Sequence, residues 1–333
     1  MEQDEIIKLL ERGIYITKEP FSEMGVTLGL TQTELINRIK SLKDNKIIRQ
    51  ISPIYDSKML GYEVALVAFR TTSDTIDSAA KIINTYPGVS HNYERSEFFN
   101  LWFTIAVDSS VFNGLDKTVQ KLAELCGVTD YAILAPVKRF KINVMLGSYW
   151  EAGDREEVQV NKNVFIPLTN EEKQIVRVTQ IDMPLVGKPF LHFAEILGLD
   201  EDYLLDKLRE FQKRGIIRRI AAVMFHRKMG YSANAMVVWR VPQERIAEVG
   251  SSIASFKAVS HCYERTTTHQ WLYNLYGVIH GKSVGDVEAV VEKINNMNSL
   301  NDYKVLFSIK EFKKVRPKYF TEDYIAWEMS NSN

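Results

Sequence analysis

The sequence predicts an α+β protein made of two similar halves, each a winged helix-turn-helix followed by a ferredoxin-like βαββαβ sandwich. Three observations carry that prediction. First, Val89-Ser90-His91-Asn92-Tyr93-Glu94-Arg95 recurs as Val259-Ser260-His261-Cys262-Tyr263-Glu264-Arg265, with six of seven positions identical. Second, four further matches keep the same order at an offset of about 170 residues. Ile48-Arg49-Gln50-Ile51 matches Ile217-Arg218-Arg219-Ile220, and Leu60-Gly61-Tyr62 matches Met229-Gly230-Tyr231. Asn100-Leu101-Trp102 matches Asn274-Leu275-Tyr276, and Val137–Lys141 matches Ile309–Lys313. Third, apolar spacing changes within each half from helical to strand-like.

In the first half, Ile6, Leu9 and Leu10 give the segment Asp4–Arg12 one apolar face, and Phe21–Leu28 reads as a second helix stopped by Gly29. Thr31 caps a third helix running to Lys43, with Glu34 completing a capping box and Leu35, Ile39 and Leu42 as its buried stripe. Ile47–Tyr55 reads as a wing strand. Strands then follow at Tyr62–Arg70, Val89–Arg95, Leu101–Val107 and Tyr131–Ile142, with helices at Asp74–Tyr86 and Val111–Leu125. The second half repeats the pattern, with helices at Asn170–Asp182, Pro189–Leu197 and Glu201–Arg214, a strand at Ile216–Phe225, and a βαββαβ unit over Ser232–Val315. A terminal helix, Glu322–Met329, packs outside. Polar, aperiodic sequence between the halves reads as a linker. The expected domains are therefore 1–60 and 169–229 (helix-turn-helix), 61–146 and 230–333 (sandwich), and 147–168 (linker).

Composition narrows the function. Of 333 residues, 45% are hydrophobic and 25% charged, a globular balance. Lys plus Arg and Asp plus Glu both number 42, so net charge is zero. DNA affinity comes mostly from neutralising phosphates, so this balance argues against it. Asp200-Glu201-Asp202 at the start of the second half's third helix would repel phosphates, although Thr31–Lys43 in the first half is mildly basic. Specific DNA binding is not expected. Cys126 and Cys262 lack metal or disulfide spacing and read as reduced thiols. MEQDEIIKLLERG has no apolar core, and no run reaches membrane-spanning length. A soluble, cytoplasmic protein with no membrane contact is expected, with a homo-oligomer left open.

The chemistry-bearing signal is His-x-Tyr-Glu-Arg in both halves. One such histidine between strands reads as a satisfied structural group; its repetition, each time followed by Tyr and Arg, brings a functional role level with that reading. Arg49 and Arg218 follow a helix and read equally as dipole partners or anion binders. Trp102 and Tyr276 fit a core better than a ligand face.

A helix-turn-helix followed by βαββαβ resembles the Lrp/AsnC architecture. The His-x-Tyr-Glu-Arg elements, with Phe99-Asn100-Leu101-Trp102-Phe103-Thr104 and Trp271-Leu272-Tyr273-Asn274-Leu275-Tyr276, resemble the two subunit types of sirohaem decarboxylase, here joined in one chain. Tyr55-Asp56-Ser57-Lys58 and Phe225-His226-Arg227-Lys228 share the resemblance. It implies removal of carbon dioxide from the C12 and C18 acetates of sirohaem, giving didecarboxysirohaem for haem or haem d1 synthesis. It implies no organic cofactor and no protein metal site; iron arrives with the substrate, and bound haem or product is admitted. His91 and His261 would be the catalytic acids. Arg49, Arg95, Arg218, Arg219 and Arg265 would hold carboxylates. Tyr93, Tyr263, Asn100, Trp102, Trp271, Tyr273, Asn274 and Tyr276 would contact substrate, and His226 is the candidate iron ligand. A haem- or tetrapyrrole-responsive Lrp/AsnC-like regulator is the competing reading.

Overall fold

The computed structural model describes residues 2–108, 114–142, 165–225 and 233–331. In the first half, α1 (Glu2–Arg12), α2 (Pro20–Leu28) and α3 (Gln32–Asp44) lead into β1 (Ile48–Tyr55). Then come β2 (Tyr62–Phe69), α4 (Ile76–Thr85), β3 (Val89–Arg95), β4 (Leu101–Asp108), α5 (Gly114–Cys126), β5 (Tyr131–Leu134) and β6 (Pro136–Ile142). The second half has α6 (Asn170–Thr179), α7 (Pro189–Leu197), α8 (Glu201–Lys213), β7 (Ile217–Met224), β8 (Ala233–Trp239), α9 (Ile246–Ala254), β9 (Val259–Arg265), β10 (Leu275–Gly281), α10 (Val284–Asn298) and β11 (Tyr303–Lys314). The chain closes with α11 (Asp323–Asn331).

Local chemistry sets the helix ends alike in both halves. Helices α2 and α7 begin with proline and end at Gly29 and Gly198, both left-handed with φ 66°, a conformation glycine reaches without the Cβ penalty. The α3 capping box is formed: Thr31 Oγ1 accepts from Glu34 N, and Glu34 Oε2 accepts from Thr31 N at 2.8 Å. Thr169 and Glu172 repeat it at α6.

The chain divides into two compact units. The first holds Met1–Gly61, Asn161–Met229 and Lys318–Thr321, which brings both helix-turn-helix segments together. The expected wing strand is present as β1. It pairs antiparallel with β7 of the other half, with Ile51 opposite Ala222. The segments after the first helices also cross over: Ile14 N donates to Ile220 O, and Met183 N to Ile51 O. That second bond, with Asp182 accepting from Ile51 N and Lys43 Nζ, ends α6 at Thr179 rather than Asp182.

The second unit, Tyr62–Val160, Gly230–Pro317 and Glu322–Asn333, contains both sandwiches. The strands of both halves are hydrogen-bonded in one order of nine, β5-β2-β4-β3-β11-β8-β10-β9-β6. The predicted single strand Tyr131–Ile142 is split: β5 pairs with β2 of its own half, and β6 with β9 of the other. Pro136 lacks an amide hydrogen, so the ladder breaks there. In the second copy Ser308 stands opposite Arg95 where Pro136 stands opposite Arg265, and β11 runs unbroken. A buried cluster containing Leu66, Ala68, Trp102 and Leu134 of one half and Met236, Val238, Tyr276 and Leu306 of the other fills the layer between the halves. The helices cover the opposite face, α9 and α10 packing over Val237, Trp239 and Ile279.

Helix α4 starts at Ile76 rather than Asp74, because Thr75 Oγ1 accepts from Thr72 N in a turn before it. Helix α11 packs Tyr324 on Tyr62 at 5.8 Å and Trp327 on Tyr86 at 4.8 Å between ring centroids. Residues 111–113 of the expected α5, Ser232 and most of the expected linker lie outside the described residues. Among the described residues no helix is long and apolar enough to cross a membrane.

Candidate active site

Side chains alternate across a strand, so His91, Tyr93 and Arg95 share one face of β3. Tyr93 lies opposite Trp102, and Trp102 belongs to the layer between the halves. The triplet therefore faces that layer. In β9, Tyr263 lies opposite Tyr276 of the same layer, so His261, Tyr263 and Arg265 face it too. Asn92 and Cys262 point to the helices instead: Asn92 Nδ2 donates to Asn84 Oδ1 at 3.0 Å, and the Cys262 thiol to Gly250 O.

Each histidine is tied through Nδ1. Ser90 Oγ lies 3.0 Å from His91 Nδ1, and Ser260 Oγ lies 2.9 Å from His261 Nδ1. Each ring lies near-parallel to the tyrosine two residues on, at 6.3 and 6.4 Å. The next member of each triplet is an arginine reaching into the other half, buried at Arg95 and half-buried at Arg265. Arg95 Nη1 donates to Leu306 O at 2.6 Å, and Arg265 Nη1 to Leu134 O at 3.0 Å. Their guanidiniums lie over Tyr93 at 5.3 Å and Tyr263 at 4.9 Å. Burial lowers both arginines, Arg95 to about 10, which leaves it cationic at neutral pH. In each, the buried Nε has no hydrogen-bond partner, an uncompensated donor beside the layer.

The aromatic residues sit deeper. Trp102 is buried, its Nε1 donating to Phe99 O at 2.7 Å, and lies 5.3 Å from Trp271. Trp271 Nε1 donates to Tyr276 Oη at 2.9 Å. Trp271 and Tyr273 also line an open pocket of about 290 Å³ with Glu97, Arg240, Asp302 and Lys304. That volume is at the low end for small ligands. The amides of Asn100 and Asn274 are committed to the backbone. Asn100 bonds both the N–H and the carbonyl of Thr71 at 2.8 and 3.0 Å, and Asn274 does the same to Val241 at 2.9 and 2.8 Å.

The remaining arginines lie in the first unit. Arg218 forms an ion pair with Asp56, Nη2 to Oδ2 at 2.9 Å. At the equivalent place Arg49 lies over the Phe225 ring at 6.0 Å. Arg219 is lowered by burial, with Glu11 opposing that shift and Arg218 adding to it. His226, the candidate iron ligand, lies outside the described residues. Among the described residues no cluster of His, Cys, Asp and Glu could hold a metal ion.

Comparison with known proteins decides the family. A sirohaem decarboxylase from Hydrogenobacter thermophilus is 45% identical over 98% of this chain and 97% of its own. The chain belongs to the sirohaem decarboxylase family. The model for the sirohaem decarboxylase NirDL-like helix-turn-helix domain matches residues 3–49 and 172–218, and that for the AsnC-like ligand-binding domain matches 59–141 and 228–313. A sirohaem decarboxylase beta subunit from Methanosarcina barkeri, 42% identical, matches 43% of this chain and 93% of its own length. That relative is thus one half, and the present sirohaem decarboxylase chain carries two. The crystal structure of sirohaem decarboxylase NirDL superposes with a TM-score of 0.81 at 41% identity, covering 100% of this chain and 98% of that one. A second structure of it, with an iron-uroporphyrin III analogue, gives the same TM-score and identity.

Reading the sequence missed several groups around the two histidines. Lys314 stands opposite His91 in the sheet, whereas Ile142 stands opposite His261. Glu311 and Arg139 differ likewise, opposite Tyr93 and Tyr263. His280 is buried, its Nε2 2.9 Å from Ser260 Oγ. The repeat could not flag it, because Ala106 occupies the equivalent place. In this member of the sirohaem decarboxylase family the two His-x-Tyr-Glu-Arg elements are thus alike along their strands and unlike across them.

Proposed function

We propose that this protein decarboxylates sirohaem, converting the C12 and C18 acetates to methyl groups and giving didecarboxysirohaem for haem or haem d1 synthesis. The observation that carries the reading is the pair of His-Tyr-Arg triplets facing one layer, in a chain whose full-length relative is a sirohaem decarboxylase. Each acetate loses carbon dioxide and gains one proton. The electron pair left by the broken C–C bond enters the pyrrole system, and the resulting carbon must then be protonated. Histidine exchanges protons near neutral pH and suits that step.

One histidine serves each acetate, His91 for one and His261 for the other. Arg95 and Arg265 supply positive charge beside them, with Tyr93 and Tyr263 stacked between. Trp102, Trp271, Tyr273 and Tyr276 offer the aromatic floor of the layer. Asn100 and Asn274 shape the backbone rather than touch substrate. The reaction as proposed needs no organic cofactor, since the macrocycle takes the electrons and its iron comes with it.

The test is to incubate the protein with sirohaem and read product masses. The reading expects loss of one and then two carbon dioxides. Unaltered sirohaem, together with a sequence-specific shift of promoter DNA, would put a tetrapyrrole-responsive regulator in its place.

A further inference from the structure

The two histidines differ in what stands behind them. In the first half Ser90 Oγ contacts His91 Nδ1 at 3.0 Å and Thr104 Oγ1 at 2.7 Å. Thr104 Oγ1 is itself 3.4 Å from His91 Nδ1. Both neighbours are hydroxyls, which donate or accept by rotation. Neither hydroxyl by itself fixes which ring nitrogen of His91 carries the proton.

The second half replaces that arrangement. Ser260 Oγ lies 2.9 Å from His261 Nδ1, 2.9 Å from His280 Nε2 and 3.3 Å from the Val278 carbonyl. A serine hydroxyl has one proton and two lone pairs. If it donates to His280 Nε2, a lone pair remains for the Nδ1–H of His261. If it donates to the Val278 carbonyl, both imidazoles must donate to it, and His261 again carries its proton on Nδ1. Donation to either imidazole gives up the carbonyl contact; the arrangement that keeps all three has the hydroxyl donating to Val278 O and both imidazoles donating to it, with His261 protonated on Nδ1.

We infer that His280 is a positioning residue for His261: through the Ser260 hydroxyl it holds the neutral His261 in the Nδ1–H form, so that Nε2 is the nitrogen that takes and returns the proton of the reaction. The inference rests on the decarboxylase reading for its chemistry. Burial, with Lys314 adding to it, pushes His280 down to about 4, so it stays neutral at working pH and acts by hydrogen bonding alone. The second half is then preset for proton exchange at one nitrogen by a histidine that the first half lacks, Ala106 standing in its place. This gives the two acetates inequivalent sites within one chain.

The experiment uses full-length protein labelled with ¹⁵N-histidine, the ring signals of His261 being assigned from the His261→Ala variant. The wild type should show neutral His261 with its proton on Nδ1. His280→Ala and Ser260→Ala should both move it toward the Nε2–H form that a free imidazole favours. Ser260→Ala cuts the same link while leaving the buried His280 in place, which covers a failure of His280→Ala to fold. With sirohaem, both variants should lower kcat for one of the two decarboxylations by about tenfold or more, part of the ~10²–10⁴ that a placed acid or base contributes. KM should change by less than about twofold, since the lost interaction acts in the transition state. An unchanged His261 tautomer in both variants overturns the inference and leaves the decarboxylase reading standing. A changed tautomer with unchanged kcat overturns the positioning role. Sirohaem left intact by the wild type overturns the decarboxylase reading, and the ring signals then still decide whether His280 orders His261.

Discussion

Acidifying the protein from about pH 7.5 to about pH 5 should weaken the sheet unit through His280. Its imidazole lies buried against Ser260, with the Lys314 ammonium adding to the burial, and its pKa falls from 6.5 to about 4. Above pH 6.5 neither the folded nor the unfolded chain protonates it, and its contribution is fully present. Between 6.5 and about 4 the unfolded chain binds a proton that the folded chain refuses. Stability therefore falls as pH falls through that window. At pH 5 linkage gives a loss of about 2 kcal/mol from this one group. The carboxylates titrate as well, so the assay compares wild type with His280→Gln by urea unfolding at both pH values. Their shared acid sensitivity cancels in the difference. The wild type's stability relative to the variant should drop by about 2 kcal/mol on acidification. A difference that stays constant to within about 0.5 kcal/mol would refute the reasoning, since it would mean that burial does not hold the imidazole neutral.

Two further expectations follow from the helix-turn-helix unit. Asp56 accepts from Arg218 at 2.9 Å and from Lys58 N at 3.1 Å, so Asp56→Ala should destabilise this unit by about 1–3 kcal/mol, measured by thermal unfolding; no change would show the pair to be idle. Asp200 is occupied in capping α8, and Asp202 pairs with Lys18 at 2.8 Å, so any weak DNA affinity should vanish steeply with salt in a mobility shift; a salt-resistant, sequence-specific complex would contradict this.

Much of this architecture was readable because local chemistry dictates it. Pro189 and Gly198 bound α7, and Thr31 with Glu34 starts α3, by rules that need only neighbouring residues. The alternation His91, Tyr93, Arg95 likewise put three functional groups on one strand face. What stayed hidden is which half a strand pairs with. A duplicated chain offers β1 and β6 equivalent partners in either copy, and side-chain alternation is the same for both. Pro136 was the one local sign of the break between β5 and β6, since a residue without N–H does not sit inside a ladder. Of the site, the repeated residues were legible and the unrepeated ones were not. His280 replaces Ala106, and Lys314 stands where the first copy has Ile142, so neither showed in the comparison of halves. Asn100 and Asn274 repeated for a structural reason: each ties its strand end to the backbone of Thr71 or Val241.

The central claim is that the two triplets do the chemistry, one acetate each. The direct measurement follows sirohaem, the mono-decarboxylated intermediate and the final product by mass for wild type, His91→Ala, His261→Ala and the double variant. Each single variant should slow one step by about 10²–10⁴ and accumulate the intermediate or its isomer, and the double variant should stop at sirohaem. Complete two-step conversion by the double variant at the wild-type rate would contradict the account.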